Sequence, residues 1–331
     1  MHRRKFIIGA YVTAPTLFEW DPVLADRYWE RILGLCGIAG LEHDYWGSLH
    51  KFDNEWFLNM VAKDWDFVFT CIPGTMVRLQ TTPTFGLASP DPSGQRAALE
   101  YTARARDAIC TLNDRLGRKA VTHVQLHSAP SWTPNLRGTE AAFRNSLGIL
   151  AGWDWDGARL CIEHCDAPNP PRPAEKGFLS LREEISAVRS INIEQGTNIG
   201  ITINWGRSAI EGRNAMTAEE HIGLVKDAGL LSGLMFSGCS DSPGPYGEWK
   251  DTHMPPPAAD MPYGENGSLM DAASIKRCLN LAGTDLDYIG LKLMLLPQPD
   301  DLDRRVGINS QCISLLNCIL EGGRHAPVRN E

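Results

Sequence analysis

Short apolar runs alternate with longer amphipathic stretches along this chain, and the alternation repeats eight times. The runs are FIIGAYVT (6–13), GIAGLEHD (37–44), WDFVFTCI (65–72), VTHVQLHS (121–128), ARLCIEHC (158–165), IGITINWG (199–206), SGLMFSGC (232–239) and YIGLKLML (288–295). β-Branched and aromatic residues are common in them, which predicts strands. The stretches between carry helix-start signals. Asp21 precedes Pro22 as a cap before a first-turn proline, and Thr139 and Ser180 are placed as N-caps. Thr217 and Glu220 have the spacing of a capping box. Strands alternating with helices imply parallel pairing through right-handed crossovers.

Eight such units can close into a barrel or lie open as a doubly wound sheet. No Gly-x-Gly-x-x-Gly follows the first run, so a dinucleotide fold loses its main support. Side-chain parity favours closure. His123, Gln125 and His127 share one face of the fourth run and Val124 and Leu126 the other. Glu163 opposes Ile162, Thr202 and Asn204 oppose Ile201 and Ile203, and Lys292 opposes Leu291 and Leu293. A strand of an open sheet covered by helices on both faces should be apolar on both parities. A barrel whose axis opens into a polar site accommodates one polar face, whereas a misplaced, unpaired buried charge is costly. The expected fold is an α/β (β/α)8 TIM barrel, one domain over residues 1–331. The segment 240–267, rich in Gly, Pro and Asp, is too long for an ordinary connection and is expected to cover the barrel mouth. The tail after Glu321 is expected to be flexible.

Composition narrows the partners. The 331 residues are 43% hydrophobic and 22% charged, with a net charge of −8. That mixture is globular, and its acidic balance argues against nucleic acid. No segment reaches the roughly 18 apolar residues of a membrane span, and the N-terminal apolar run is too short for a secretion signal. Nine scattered cysteines suit reduced thiols and a cytoplasmic location. Cys161 and Cys165 have no second pair at zinc spacing, so no structural zinc site is expected from them. A homo-oligomer is left open.

Active sites of such barrels form at the C-terminal ends of the strands. The inward polar residues there are Glu42, His127, Glu163, Asn204, Ser237 and Lys292, with Tyr11 and Arg207 at or just beyond strand ends. Glu163 is the least ambiguous, because a carboxylate inside an apolar strand needs a reason, and Lys292 is its expected partner across the barrel. Trp46, Trp132 and Trp205 follow strands two, four and six and are expected to rim the mouth. Rings beside hydrogen-bonding groups suit a sugar, with its apolar C–H faces and its hydroxyls. His123 lies deeper and reads as structural; His43 and His164 have the outward parity and read as packed against helices or loops.

These residues resemble the xylose isomerase-like TIM barrels, the sugar phosphate isomerase/epimerase superfamily, over nearly the whole chain. Glu42 in Gly-Leu-Glu, His127 in Leu-His-Ser and Glu163 in Ile-Glu-His match the acid of strand two, the histidine of strand four and the glutamate of strand five. Asp251-Thr-His253-Met-Pro-Pro resembles the loop after strand seven. The branch suggested is known only as a domain of unknown function. The resemblance implies a divalent metal held by Glu, Asp, His and Glu on strands five to eight, yet here strands six to eight offer Asn204, Ser237 and Lys292. A lone carboxylate is a poor cage for Mn²⁺ or Mg²⁺, so no cofactor is expected. His127 and His253 leave room for a rearranged metal at Glu163, the disfavoured alternative.

The reading that follows is an isomerase- or epimerase-like enzyme acting on a small carbohydrate. Glu163 removes a proton next to a carbonyl, Lys292 stabilises the enediolate oxygen, and Glu42 or His127 returns the proton. Asn204, Arg207, Ser237, His253, Tyr11 and the tryptophans orient the substrate. The rivals are a lyase or glycoside-cleaving enzyme using the same carboxylates, a Schiff base at Lys292, and a non-catalytic sugar-binding pseudoenzyme.

Overall fold

A computed structural model of the chain describes residues 6–322. Eight parallel strands close into a barrel in the order β1 to β8. They are β1 (Phe6–Ile8), β2 (Ile38–Asp44), β3 (Asp66–Thr70), β4 (Val121–Leu126), β5 (Arg159–Glu163), β6 (Gly200–Asn204), β7 (Leu231–Phe236) and β8 (Tyr288–Leu291). Ten helices surround it: α1 (Pro22–Leu33), α2 (Asn54–Met60), α3 (Ile72–Thr81), α4 (Pro92–Leu116), α5 (Glu140–Ala151), α6 (Leu181–Gln195), α7 (Trp205–Gly212), α8 (Thr217–Asp227), α9 (Ala272–Ala282) and α10 (Leu302–Leu320). None of them is long and apolar enough to cross a membrane. The expected (β/α)8 TIM barrel is therefore present; residues after 322 in the tail lie outside the described ones.

The strands are shorter than the apolar runs, the first most of all. The first run leaves the ladder after Ile8 and coils into a 3₁₀ turn, Ala10–Thr13. Thr13 donates to the Ala10 carbonyl at 3.1 Å, and the Tyr28 hydroxyl of α1 donates to the same carbonyl at 2.7 Å. That turn presents Tyr11 to the barrel mouth. The caps at Asp21, Thr139 and Ser180 form as expected, the last as a full capping box. The box at Thr217 does not. Met216 is the N-cap of α8, and Thr217 is already helical. Its hydroxyl instead abuts Gly212, where any β-carbon would collide with it.

The outward parity of the strands packs on the helices as one continuous core that includes Phe67, Phe69, Val124, Ile162, Ile201, Leu234 and Leu291. The inward parity stacks in layers. Ile7, Val68, Met235 and Tyr288 form an apolar cluster in the lower barrel. Above the Tyr288 ring its hydroxyl accepts from Gln125 Nε2 at 3.0 Å and meets the Thr202 hydroxyl at 2.6 Å. The Gln125 amide thus bonds to the wall through Nε2, while its Oε1 has no partner among the described residues. At the lower rim Asp287 accepts from Arg159 at 2.5 Å and Ser232 at 2.6 Å, and lies 3.2 Å from His123 Nε2. His123 is thus structural, as its depth suggests. These hydrogen bonds hold the Asp287 carboxyl down to about 2. Its contribution to stability is complete above the unfolded value near 4 and fades as pH falls through 2. Asp287→Ala is expected to cost about 1–3 kcal/mol at pH 7 and less at pH 3, read as the shift in Tm at the two pH values.

Candidate functional site

The layer above Tyr288 is charged and closed. Glu163, at the end of β5, uses both oxygens. Arg207 Nη1 of α7 lies 2.7 Å from Oε2, and His127 Nε2 lies 3.1 Å from the same oxygen. Asn204 Nδ2 donates to Oε1 at 3.1 Å. Asn204 is also the N-cap of α7, so one side chain both starts the helix and holds the carboxylate. Arg207 continues to Asp251, whose Oδ2 is 3.2 Å from Nε and 3.0 Å from Lys176 Nζ. His253 Nδ1 lies 3.3 Å from Asp251 and 2.7 Å from the Ser237 hydroxyl. His253 has φ of 57°, a strained conformation pinned where its carbonyl accepts from the Met294 amide at 2.8 Å.

Glu42 and Lys292 form a second pair, with Nζ 3.2 Å from Oε1 and 2.9 Å from Oε2. Both side chains are fully buried. The sequence expectation that Lys292 partners Glu163 is corrected here: Lys292 pairs with Glu42, and Arg207 neutralises Glu163. The reason is reach. Glu42 and Lys292 flank Gly9, which follows β1, and both lie within 3.1 Å of where its β-carbon would stand. Tyr11 completes this pair, 3.4 Å from Nζ.

The two carboxylates are pushed apart. Burial alone would raise Glu163, but the Arg207 guanidinium, Lys292 and His127 overcome it and hold the carboxyl well below the usual range. Burial dominates at Glu42 and raises it, with Lys292 only partly opposing. Burial also lowers His127 to about 4, so its ring is neutral at pH 7. With Nε2 donating to Glu163, Nδ1 is left as a bare acceptor, and it has no partner among the described residues. Glu42 Oε2 has the Lys292 ammonium at 2.9 Å and no other donor among the described residues. His127 Nδ1 is thus an acceptor that a ligand or water can satisfy.

A small cavity open to solvent reaches this layer from one side. Tyr11, Thr16, Glu42, Asp44, Lys51 and Phe52 are among its lining residues. Glu163 is not. Asp44 accepts from Trp46 Nε1 at 2.5 Å, and Lys51 lies over the Trp46 ring at 4.6 Å. Burial lifts the Asp44 carboxyl to about 7. The folded chain therefore holds a proton that the unfolded chain releases between pH 4 and 7, and ionisation of Asp44 costs stability as pH rises. Asp44→Asn is expected to raise Tm by roughly 2–4 °C at pH 8, a gain that shrinks toward pH 4.

Of the sequence-derived candidates, Glu42, His127, Glu163, Asn204, Arg207, Ser237, His253, Lys292 and Tyr11 converge. Trp46 borders the same mouth. Trp205 does not: it is buried in the helix layer and donates to Ser274 of α9 at 2.9 Å. Trp132 is 43% exposed and joins the Gly177 carbonyl through its backbone. His43 packs outward on Phe57 and Phe69, and His164 also faces the helices. Four residues join that sequence reading did not select. Asp44 shares Glu42's parity and was legible; Lys51, Lys176 and Asp251 come from loops whose path no periodicity reveals.

A divalent metal at Glu163 does not fit this donor set. Three donors occupy the carboxylate, and cationic Arg207 and Lys292 stand where further oxygen ligands would be needed. The remaining histidine, His253, is committed to Ser237 and Asp251.

Comparison with known proteins agrees with the fold. An uncharacterized protein of Salmonella typhimurium is 34% identical over 313 residues, which are 94% of this chain and 96% of that one. Among solved structures, the IOLI protein with a bound zinc atom has a TM-score of 0.60 at 11% identity, over 95% of this chain and 98% of its own. D-allulose 3-epimerase from Methylomonas sp. has 0.55 at 14% identity, over 97% of each chain. A sugar phosphate isomerase/epimerase from Parabacteroides distasonis has 0.53 at 9%, over 96% of each. At such identities the likeness is one of fold, the (β/α)8 TIM barrel. The family model described as Domain of unknown function (DUF4862) matches residues 7–308, and the chain belongs to that family.

Proposed function

We propose that this protein is an isomerase or epimerase that moves a proton next to the carbonyl of a carbohydrate or sugar derivative, with no metal at Glu163. The carrying observation is the contrast between two buried carboxylates: Glu42 is raised and borders the open cavity, while Glu163 is lowered and fully bonded. Environments that drive paired acids apart assign them different tasks. Glu42 takes the proton, because its carboxylate borders the cavity and has no donor besides Lys292 among the described residues; in an isomerisation it returns the proton to the neighbouring carbon, and in an epimerisation the opposite face is protonated by water from the cavity. Lys292, beside it, stabilises the oxygen that gains charge as the enediolate forms. Glu163 holds Arg207, Asn204 and His127 in place, and His127 Nδ1 accepts from a substrate hydroxyl. This reverses the roles expected from sequence, where Glu163 is the base. The solved epimerases of similar fold, at low identity, are consistent with this reading without establishing it.

Charge balance narrows the substrate. Glu42, Glu163 and Asp251 face Lys292, Arg207 and Lys176, so among the described residues no central cation is left over for a phosphate, and Lys51 on the cavity wall already donates to the Leu17 carbonyl at 2.8 Å. A neutral sugar is favoured. The test is incubation with a panel of unphosphorylated aldoses and ketoses in D2O. Deuterium should enter at the carbon next to the carbonyl of the substrate. Turnover that retains all carbon-bound protium and shows no primary isotope effect with substrate deuterated at that carbon would exclude this chemistry.

A further inference from the structure

Behind the barrel wall lies a second cluster that the proposed reaction does not use. His164 follows Glu163 but points the other way, into the space between β5 and helices α6 to α8. Its Nε2 is 3.0 Å from Glu211 Oε2 on α7. His221 on α8 places its own Nε2 3.7 Å from Glu211 Oε1. The two rings meet edge to face, with centroids 5.1 Å apart. One nitrogen of each histidine and a carboxylate oxygen all lie within 4.8 Å of one another.

We propose that His164, Glu211 and His221 bind one divalent cation of the zinc class. Zinc bonds of about 2.0–2.1 Å in a tetrahedron put neighbouring ligand atoms roughly 3.3 Å apart. His164 and His221 approach different oxygens of Glu211, at 3.0 Å to Oε2 and 3.7 Å to Oε1, and with one atom per residue the set lies within 4.8 Å, a spread that small side-chain rotations bring to that figure. The outer contacts are the second, independent support. His164 Nδ1 is 2.7 Å from Glu184 Oε2, and Glu184 in turn accepts from the Ser128 hydroxyl at 2.6 Å. His221 Nδ1 is 3.0 Å from the Ser208 hydroxyl. Each ring thus has its far nitrogen anchored and its Nε2 aimed at Glu211, the arrangement by which proteins orient histidine ligands. Two imidazoles and a carboxylate suit zinc, and three protein ligands leave one position for water. The site is nearly dry, with Glu211 17% exposed and His164 fully buried.

Its place in the fold gives it a task. His164 adjoins Glu163, and Glu211 lies one helical turn beyond Arg207 on α7. An ion here ties β5, α7 and α8 together directly behind the Glu163–Arg207 pair. The assignment is separate from the proposed reaction and stands or falls without it.

The tag-free full chain, stripped with chelator and desalted, is to be titrated with Zn²⁺ alone by calorimetry, with Tm followed in parallel. One ion per chain with micromolar or tighter affinity and a rise in Tm is expected. His221→Ala and Glu211→Gln should each abolish that binding, and Glu184→Gln should weaken it 10–100-fold. Glu42→Gln should bind as the wild type does, which separates this site from the barrel centre. Cobalt(II) should give the visible bands of a tetrahedral site. Binding that survives both His221→Ala and Glu211→Gln would overturn the assignment, as would the absence of any Tm response to Zn²⁺. In the latter case the cluster is a hydrogen-bonded network around a protonated His164.

Discussion

Glu42→Gln is expected to suppress exchange of the substrate's carbon-bound proton with solvent by about 10³-fold, with the fold retained. The size follows from removing a positioned general base, which contributes roughly 10²–10⁴. Retention of the fold follows from shape. The amide oxygen still accepts from Lys292 and the volume is unchanged, while the lost counter-charge of that buried ammonium is expected to lower Tm by several degrees without unfolding the chain. Since burial raises the Glu42 carboxyl, wild-type kcat/KM should fall as pH drops through a limb above the ordinary carboxylate range. The variant's residual rate should lack that limb. Glu163→Gln is expected to act differently, loosening Arg207 and His127 and thereby raising KM as well as lowering kcat. A steady-state comparison of the two variants decides between them. If Glu42→Gln turns over near the wild-type rate while Glu163→Gln is dead, the base is Glu163.

The barrel was legible because closure leaves a repeating imprint: each strand needs one apolar face for the helices, and eight such faces can be counted. The inward polar positions were legible for the same reason, since Glu163, Lys292 and His127 stand out against Ile162, Leu291 and Leu126. Pairing was not legible. Whether Lys292 reaches Glu42 or Glu163 depends on barrel curvature and on the missing side chain at Gly9, and parity encodes neither. Trp205 shows the opposite limit. As the first residue of α7 it lies immediately after an inward Asn204, yet the helix start turns it outward onto Ser274. The 240–267 segment was recognisable by length, but that it delivers Asp251 to Arg207 depends on a path held by isolated bridges such as Gly238 to Met254. The cluster of His164, Glu211 and His221 is spread over three elements and has no sequence spacing at all.

Arg207→Met is expected to be the most destabilising single change in the site. The guanidinium is 1% exposed and is shared by two buried carboxylates, Glu163 and Asp251. Methionine fills much of the volume and leaves both acids without it, with Lys176 still beside Asp251 and only neutral donors on Glu163. Breaking a buried pair in this way costs about 3–5 kcal/mol, a large part of the roughly 5–15 kcal/mol that holds a folded domain together. Calorimetry should show Tm lower by roughly 6 °C or more. The double variant Arg207→Met with Glu163→Gln discriminates the cause. If the loss comes from stranded charge, neutralising Glu163 should return at least about 1.5 kcal/mol relative to Arg207→Met alone. If the loss comes from packing, the double variant should be no more stable than the single one. A Tm for Arg207→Met within 1 °C of wild type would mean that water reaches Glu163 freely, and the sealed, low-lying carboxylate on which the division of labour between Glu42 and Glu163 rests would not exist.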